Sequence, residues 1–414
     1  MKKTELLAPA GNYEKLEIAL AYGADAVYMG GKNFSMRSAA DNFTREEMKK
    51  AVELIHSQKK KAFITINIIA RNRDIDEIIE EMKFVSSINA DAMIISDVGL
   101  IALAKKHAPN IKIHVSTQAN ILNEETALFF AELGVDRLIL ARELSLNEIM
   151  GIRTALPSKV EIEVFVHGSM CISYSGRCLL SNYMTNRDAN RGECAQPCRW
   201  NYSLMEEKRP GEFYPIYEDE RGSYIFNSRD LCMIEHIPEL IEAGIDSFKI
   251  EGRMKSVFYA AMTTRSYRKA IDNYYLKNEG QEYNSSWLDD LSKTSHRQYT
   301  TAFFFDESPK DTQIYDSNSY IRSHSFVGKV LEYNKGTGIA KIMQRNPLFE
   351  GEEIEVVQPN EDDFIQKVEN MINISGEHIV STPHAQMLYY MKMKNTVEPG
   401  TLFMKKKMEE KNVV

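Results

Sequence analysis

Three stretches of this chain read as one phrase: AYGADAVYMGG at 21–31, AELGVDRLILA at 131–141 and EAGIDSFKIEG at 242–252. Each holds the end of a helical pattern, a glycine, a polar residue and then an apolar run of strand length. Working outward from them, eight strand-then-helix pairs can be drawn. The strands are expected at 5–9, 25–30, 61–67, 91–96, 111–116, 136–141, 160–166 and 246–251. The helices are expected near 12–22, 45–57, 74–88, 98–107, 123–133, 145–154, 230–242 and 254–276. Strands with almost no polar alternation belong to a parallel sheet covered by helices, and eight units are the number that closes a barrel. An open doubly wound sheet is the rival, and the internal echoes favour the closed (β/α)8 form.

The expected domains follow from that count. Residues 1–276 form a TIM-like barrel, and 277–324 are a linking region. From 325 to 405 the pattern changes to short alternating strands with turns (SFVGKVLEYNKGTGIAKIMQRN, GEEIEVVQP, IVSTP, EPGTLFM), which predicts a small all-β barrel domain. Residues 406–414 read as a frayed tail. One connection is far longer than the rest, running 167–230 after strand seven. Loops that follow barrel strands build the catalytic face, so this insertion is expected there.

The composition is that of a globular protein, 43% hydrophobic and 27% charged. No apolar run approaches the roughly 18 residues of a membrane span, and the first residues lack a signal-peptide core, so a cytoplasmic protein without a membrane partner is expected. A formal net charge of −8 argues against a sequence-blind polyanion binder, though a structured RNA could dock on a local basic face. The basic pieces RSYRK at 265–269 and KKK at 59–61 are candidates for such contacts.

Five cysteines without an export signal argue for metal or thiol chemistry over disulfides. All lie in the long insertion or at its exit: Cys171-x6-Cys178-x15-Cys194-x3-Cys198, then Cys232. Thiolates suit zinc or an iron–sulfur cluster, and the spacing leaves both open. The strand ends add polar groups that point to one cavity. His167, Glu163, Arg142 and Glu251 are the candidate catalytic groups, His167 because imidazole titrates near working pH. Tyr28, Arg37, Asn67, His114, Gln118, Arg142, Lys249 and Arg253 are the candidate substrate contacts, the arginines because guanidinium forks fit carboxylates and phosphates. No H-E-x-x-H or G-x-S-x-G motif supports a peptidase mechanism.

The stretches EVFVHGSMCISYSGRCLLS at 163–181 and NRDANRGECAQPCRWNY at 186–202 resemble the signature of the collagenase-like peptidase family of unassigned catalytic type. LLAPAG at 6–11, FNSRDLC at 226–232 and FKIEGRMKS at 248–256 extend the resemblance along the barrel. Within that family the chain is similar to the bacterial tRNA hydroxylation group, whose relatives act on ribosomal RNA or on ubiquinone precursors. The resemblance implies a [4Fe–4S] cluster on Cys171, Cys178, Cys194 and Cys232, with Cys198 as the alternative fourth ligand. It also implies tRNA as partner, prephenate as a co-substrate and 5-hydroxylation of the wobble uridine as the function. A collagenase-like hydrolase, and a cluster-binding subunit acting beside a paralogue, are the other readings. After RQYTT at 297–301 the resemblance leads one to expect glycine, and this chain has Ala302.

Overall fold

The computed structural model describes residues 3–35, 41–171, 173–200, 203–205, 213–215, 228–276, 283–305 and 320–407. Seven parallel strands follow in order: β1 (Glu5–Pro9), β2 (Ala26–Met29), β3 (Lys61–Ile66), β4 (Ala92–Ile95), β5 (Lys112–Val115), β6 (Arg137–Ile139) and β7 (Glu161–Ser169). Two short strands, β8 (Ser203–Met205) and β9 (Phe213–Pro215), pair with each other inside the insertion. Next comes β10 (Asp230–Cys232), and then β11 (Ser247–Ile250), which pairs in parallel with both β1 and β7 and closes the barrel.

The repeated phrase now has a physical content. Gly23, Gly134 and Gly244 take φ of +104°, +73° and +77°, a conformation that turns the chain from helix to strand without a Cβ clash. The aspartate two residues later reaches back to a backbone N–H of the preceding barrel strand: Asp25 accepts from Leu6 at 2.8 Å, Asp136 from Ile113 at 2.9 Å and Asp246 from Ile162 at 2.9 Å. Asp91, ahead of β4, does the same for Ala62 at 2.8 Å. Four of the eight units therefore carry a stitch of their own to the preceding strand.

The outer helices are α1 (Tyr13–Ala21), α2 (Arg45–Ser57), α3 (Ile75–Ser87), α4 (Val98–His107), α5 (Glu124–Glu132) and α6 (Leu146–Ala155), with α7 (Leu180–Thr185) in the insertion and α8 (Ile237–Glu242) and α9 (Val257–Leu276) after it. Asn12, Thr44, Asp97, Asn123 and Ser145 cap the starts of five of them through their side chains, Thr44 and Ser145 as full capping boxes with Glu47 and Glu148. One expected helix is shorter than drawn. Residues 230–232 of the expected 230–242 helix form β10, antiparallel to the end of β7, and α8 begins only at Ile237, with Pro238 in its first turn. The apolar Leu231 is better buried by zipping onto β7, where it lies opposite Gly168, than by continuing a helix.

After α10 (Ser286–Ser292) and β12 (Tyr299–Thr300), eight antiparallel strands form the second sheet: β13 (His324–Asn334), β14 (Ile339–Gln344), β15 (Glu353–Val357), β16 (Phe364–Lys367), β17 (Met371–Asn373), β18 (His378–Ile379), β19 (Leu388–Lys392) and β20 (Leu402–Lys406). Val327, Ile342, Ile354, Val356, Tyr389 and Phe403 fill its half-barrel core. It docks on the barrel through Ile18, Tyr22, Phe258 and Met262, packed against Val357, Leu402 and Met404. Ala302 has φ of +53° and is fully buried, so an alanine holds a conformation that favours glycine. Among the described residues no helix is long and apolar enough to cross a membrane.

Candidate functional site

The C-terminal ends of the barrel strands surround a cavity of about 70 Å³. Seven of the residues singled out from the sequence line it together: Tyr28, Asn67, Gln118, Arg142, Lys249, Glu251 and Arg253. Thr65, Ile94, Ser116, Thr117, Ile139 and Phe165 complete the barrel side, and Ser175 of the insertion covers it. Three cations against one carboxylate make this an anion-attracting hollow.

Each cation is held from behind. Lys249 donates to Glu163 at 2.7 Å and lies 4.5 Å from the Tyr28 ring centre. Burial pushes its ammonium below the usual lysine range, Glu163 pulls it back up, and Arg137 and Arg253 push it down again. Arg253 donates to the hydroxyls of Ser35 at 2.5 Å and Thr65 at 3.2 Å, and to the Asn42 side-chain oxygen. Arg142 donates to the Ser169 carbonyl at 3.0 Å and rests over Phe165. Asn67 and Gln118 exchange hydrogen bonds at 3.1 and 3.0 Å, with Ser116 on the Gln118 oxygen.

Other candidates lie elsewhere. Glu163 and His114 are buried in the barrel beneath the cavity rather than in its wall. Arg137, 2% exposed, donates to Glu5 at 2.7 Å, Glu161 at 2.6 Å and Glu163 at 2.8 Å. His114 packs edge-on against Phe63, and burial holds its imidazole neutral, with Arg137 and Lys249 adding to the effect. His167 faces away from the cavity. A register shift beside Phe165 breaks the inward alternation of Glu163 and Phe165, so His167 turns out among the rings of Tyr259, Tyr267 and Tyr299. Burial there lowers its pKa to about 3, and Lys255 and His296 act in the same direction. Arg37 lies outside the described residues.

The insertion is clamped over the mouth. Arg191 grips Asp74, after β3, with both guanidinium nitrogens at 2.8 and 3.1 Å. Ile69 donates to the Asn190 carbonyl at 3.3 Å. Gly176, at φ +73°, lies so close to Gln118 that a Cβ would come within 3.1 Å of that side chain. The lone serine of the cavity roof is thus fixed by contacts on both sides. Asp74 feels this grip most through the Arg191 hydrogen bond, which holds its carboxyl down at about 2.

The thiols divide into two settings. Cys171 and Cys194 are exposed and Cys178 and Cys198 half-buried, all four on the segment crossing the mouth. Cys232 is buried on β10 opposite His167, 3.9 Å from the Tyr267 hydroxyl, and burial pushes its thiol up to about 12. Cys171 follows His167 by four residues, up to about 13 Å of extended chain. Among the described residues no three sulfurs lie within 4.8 Å of one another. By donor type the cysteines suit a soft-metal group, zinc or an iron–sulfur cluster.

A larger hollow of about 480 Å³ lies outside the barrel, walled by Asp76, Glu77, Glu80 and Glu81, and its acidic face suits neither an anion nor RNA. The RSYRK segment at 265–269 is inside the molecule at three of its positions: Arg265 is 2% exposed, Ser266 1%, and Tyr267 is fully buried.

A closed (β/α)8 barrel with a cationic mouth, a cysteine-bearing cap and a β-domain on its flank is the class that fold and site define. The chain belongs to peptidase family U32, whose sequence pattern it matches at residues 11–314, followed by the peptidase family U32 C-terminal domain at 322–403. It is 39% identical to tRNA hydroxylation protein P1 of Bacillus subtilis over 98% of this chain and 96% of that one. It is 37% identical to tRNA hydroxylation protein P of Escherichia coli over 92% of each chain. It is also 31% identical to a collagenase of Porphyromonas gingivalis over 89% of each.

Proposed function

We propose that this protein supports hydroxylation of tRNA, at C5 of the wobble uridine, with its chemistry at the capped barrel mouth. The observation that carries the reading is the end-to-end similarity to tRNA hydroxylation protein P1, 39% over 98% of the chain. The cationic mouth supports an anionic co-substrate there, and a dicarboxylate such as prephenate suits Arg142, Lys249 and Arg253 in charge. Arg253 is oriented by neutral hydroxyls and an amide oxygen and so keeps its charge available to a ligand. Glu251, the one acid of the cavity wall, is the candidate to hold a proton close to the reacting atoms.

Cys171, Cys178, Cys194 and Cys232 would hold a [4Fe–4S] cluster, with Cys198 as the alternative fourth ligand. Such a group, when bound, supplies one-electron redox chemistry. Anaerobically purified protein is expected to contain iron and acid-labile sulfide in about equal amounts. Cys232→Ala should lose that content and Cys198→Ala retain it; the reverse would transfer the fourth position to Cys198, and stoichiometric zinc without iron would remove the cluster.

The functional test is nucleoside mass spectrometry on bulk tRNA. Deletion should lower 5-hydroxyuridine derivatives, and Arg142→Ala should fail to restore them. A deletion strain with its full complement of hydroxylated uridine, together with gelatin cleavage by the pure protein, would replace this reading with the peptidase one. Restoration only in the presence of a paralogue would make the chain one subunit of a pair.

A further inference from the structure

The cap wears its large side chains on the outside. Tyr183 of α7 is 88% exposed, Leu179 68%, Tyr174 49% and Trp200 42%. The residue that α7 buries is Ser181, whose hydroxyl accepts from the Ala195 N–H at 3.0 Å. A surface helix ordinarily turns its apolar side inward and its polar side to water. Here the order is inverted, and α7 packs on residues 197–199, so Trp200 stands beside it. Arg177 and Arg187 are exposed on the same segment. Between 171 and 200 the sequence has four arginines against two acids, Asp188 and Glu193, in a chain whose net charge is −8; of the four, Arg191 is taken up by Asp74.

We infer that the outer face of the cap is a binding surface for single-stranded RNA: unpaired bases stack on Tyr183 and Trp200, and Arg177 and Arg187 hold the flanking phosphates. This rests on the RNA reading of the site. Aromatic faces accept any unstacked base, and arginines supply the sequence-independent phosphate term. The position explains the partner. Ser175, between Tyr174 and Arg177, roofs the mouth cavity, so a strand lying along the cap passes over the place where one base must leave its stack for chemistry. A duplex, its bases stacked on one another, has nothing to offer these rings. A protein partner would be served by the same aromatics, but it would not require the local excess of arginine.

The test is fluorescence anisotropy of the full-length, anaerobically purified protein. The probe is a labelled RNA hairpin with a uridine-containing single-stranded loop, and the same sequence closed into a duplex is the control. Tyr183→Ala and Trp200→Ala should each weaken hairpin binding about 5- to 100-fold, without changing duplex binding or the thermal midpoint. Arg187→Gln should lower the salt dependence by about one phosphate contact. Trp287 is 9% exposed, so quenching of tryptophan emission by the hairpin should come from Trp200 and vanish in Trp200→Ala. Unchanged hairpin affinity in both aromatic variants overturns the proposal. So does a shift to dimers in sedimentation that the Tyr183 variant abolishes, which would make the face a protein contact. The two readings fail separately. Loss of hydroxyuridine on deletion with full rescue by Tyr183→Ala sinks only the binding surface; hairpin binding that needs Tyr183, with no modification defect, sinks only the hydroxylation role.

Discussion

Two buried arginines, each 2% exposed, hold this molecule together in opposite ways. Arg137 lies inside the barrel under the cavity, and Arg265 lies at the seam where α9 meets the β-domain. Arg137 is ringed by Glu5, Glu161 and Glu163, with Lys61 and Lys249 beyond, and Glu163 is completely shielded from solvent. Arg265 forks onto Asp363 at 2.6 and 2.8 Å and also reaches Asp290, while Lys293 ties Asp290 to Glu355. The seam carboxylates, Asp290, Glu355 and Asp363, come within 4.8 Å of one another. With two cations among them they read as an ion-pair clamp rather than a metal site. Their side chains remain 15 to 26% exposed, so water can take over what the arginine releases. The same pairing is therefore closed at Glu5 and Glu163 under the cavity, where only Glu161 of the three carboxylates reaches solvent, and open throughout at the seam.

The sharpest way to break that comparison is to remove each arginine. Arg137→Met leaves Glu5 and Glu163 facing each other without water, and breaking a buried pair in this way costs about 3–5 kcal/mol. Urea titration followed by circular dichroism should show a correspondingly earlier midpoint. The loss should be partly relieved when Glu163→Gln is added, because the second change removes the stranded charge. A loss below about 1 kcal/mol would mean that the barrel interior is wetter than its burial indicates.

Arg265→Met should cost less, about 1.5–3 kcal/mol, the range for hydrogen bonds to charged groups. Its signature should be a split of the unfolding transition into two, since the ion pairs that couple the sheets are gone while each keeps its own core. The apolar contact of Tyr22 and Phe258 with Leu402 and Met404 remains to oppose complete separation. Equal destabilisation by both arginine variants would show that carboxylate exposure is not what separates the two networks.

The same contrast explains what could be read from the sequence. Buried strands announce themselves by unbroken apolar runs, and the glycine–aspartate phrase recurs because three of the units make the same turn and the same stitch. The cationic mouth was legible for a related reason: residues at the ends of parallel strands converge whatever the loops do. What remained hidden depended on single residues of register. The shift beside Phe165 that turns His167 outward leaves no compositional trace. Leu231 and Cys232 look as helical as extended until β10 is seen to zip onto β7. RSYRK looks like a surface basic cluster, because the carboxylate that buries Arg265 lies 98 residues further along the chain.

The smallest expected effect uses histidines as reporters of the two environments. His114 lies beside Arg137 and is held neutral chiefly by burial, then by Arg137 and Lys249. His324, only half-buried near the seam, is also pushed down by burial and by Lys293, but Glu355 pulls it back. A histidine whose folded pKa is below that of the unfolded chain lets the unfolded state bind protons first. Its stabilising contribution is full above about pH 6.5 and is lost as pH falls toward the folded value. For His114 this amounts to about 1 kcal/mol between pH 7.5 and 5.5. His114→Gln should therefore flatten the decline of the urea midpoint over that interval, whatever it does to the midpoint at pH 7.5. His324→Gln should flatten it less, because solvent and Glu355 already accept part of the charge. A larger flattening from His324 would place the more strongly desolvating environment at the seam, and the distinction between a closed and an open charge system would have to be reversed.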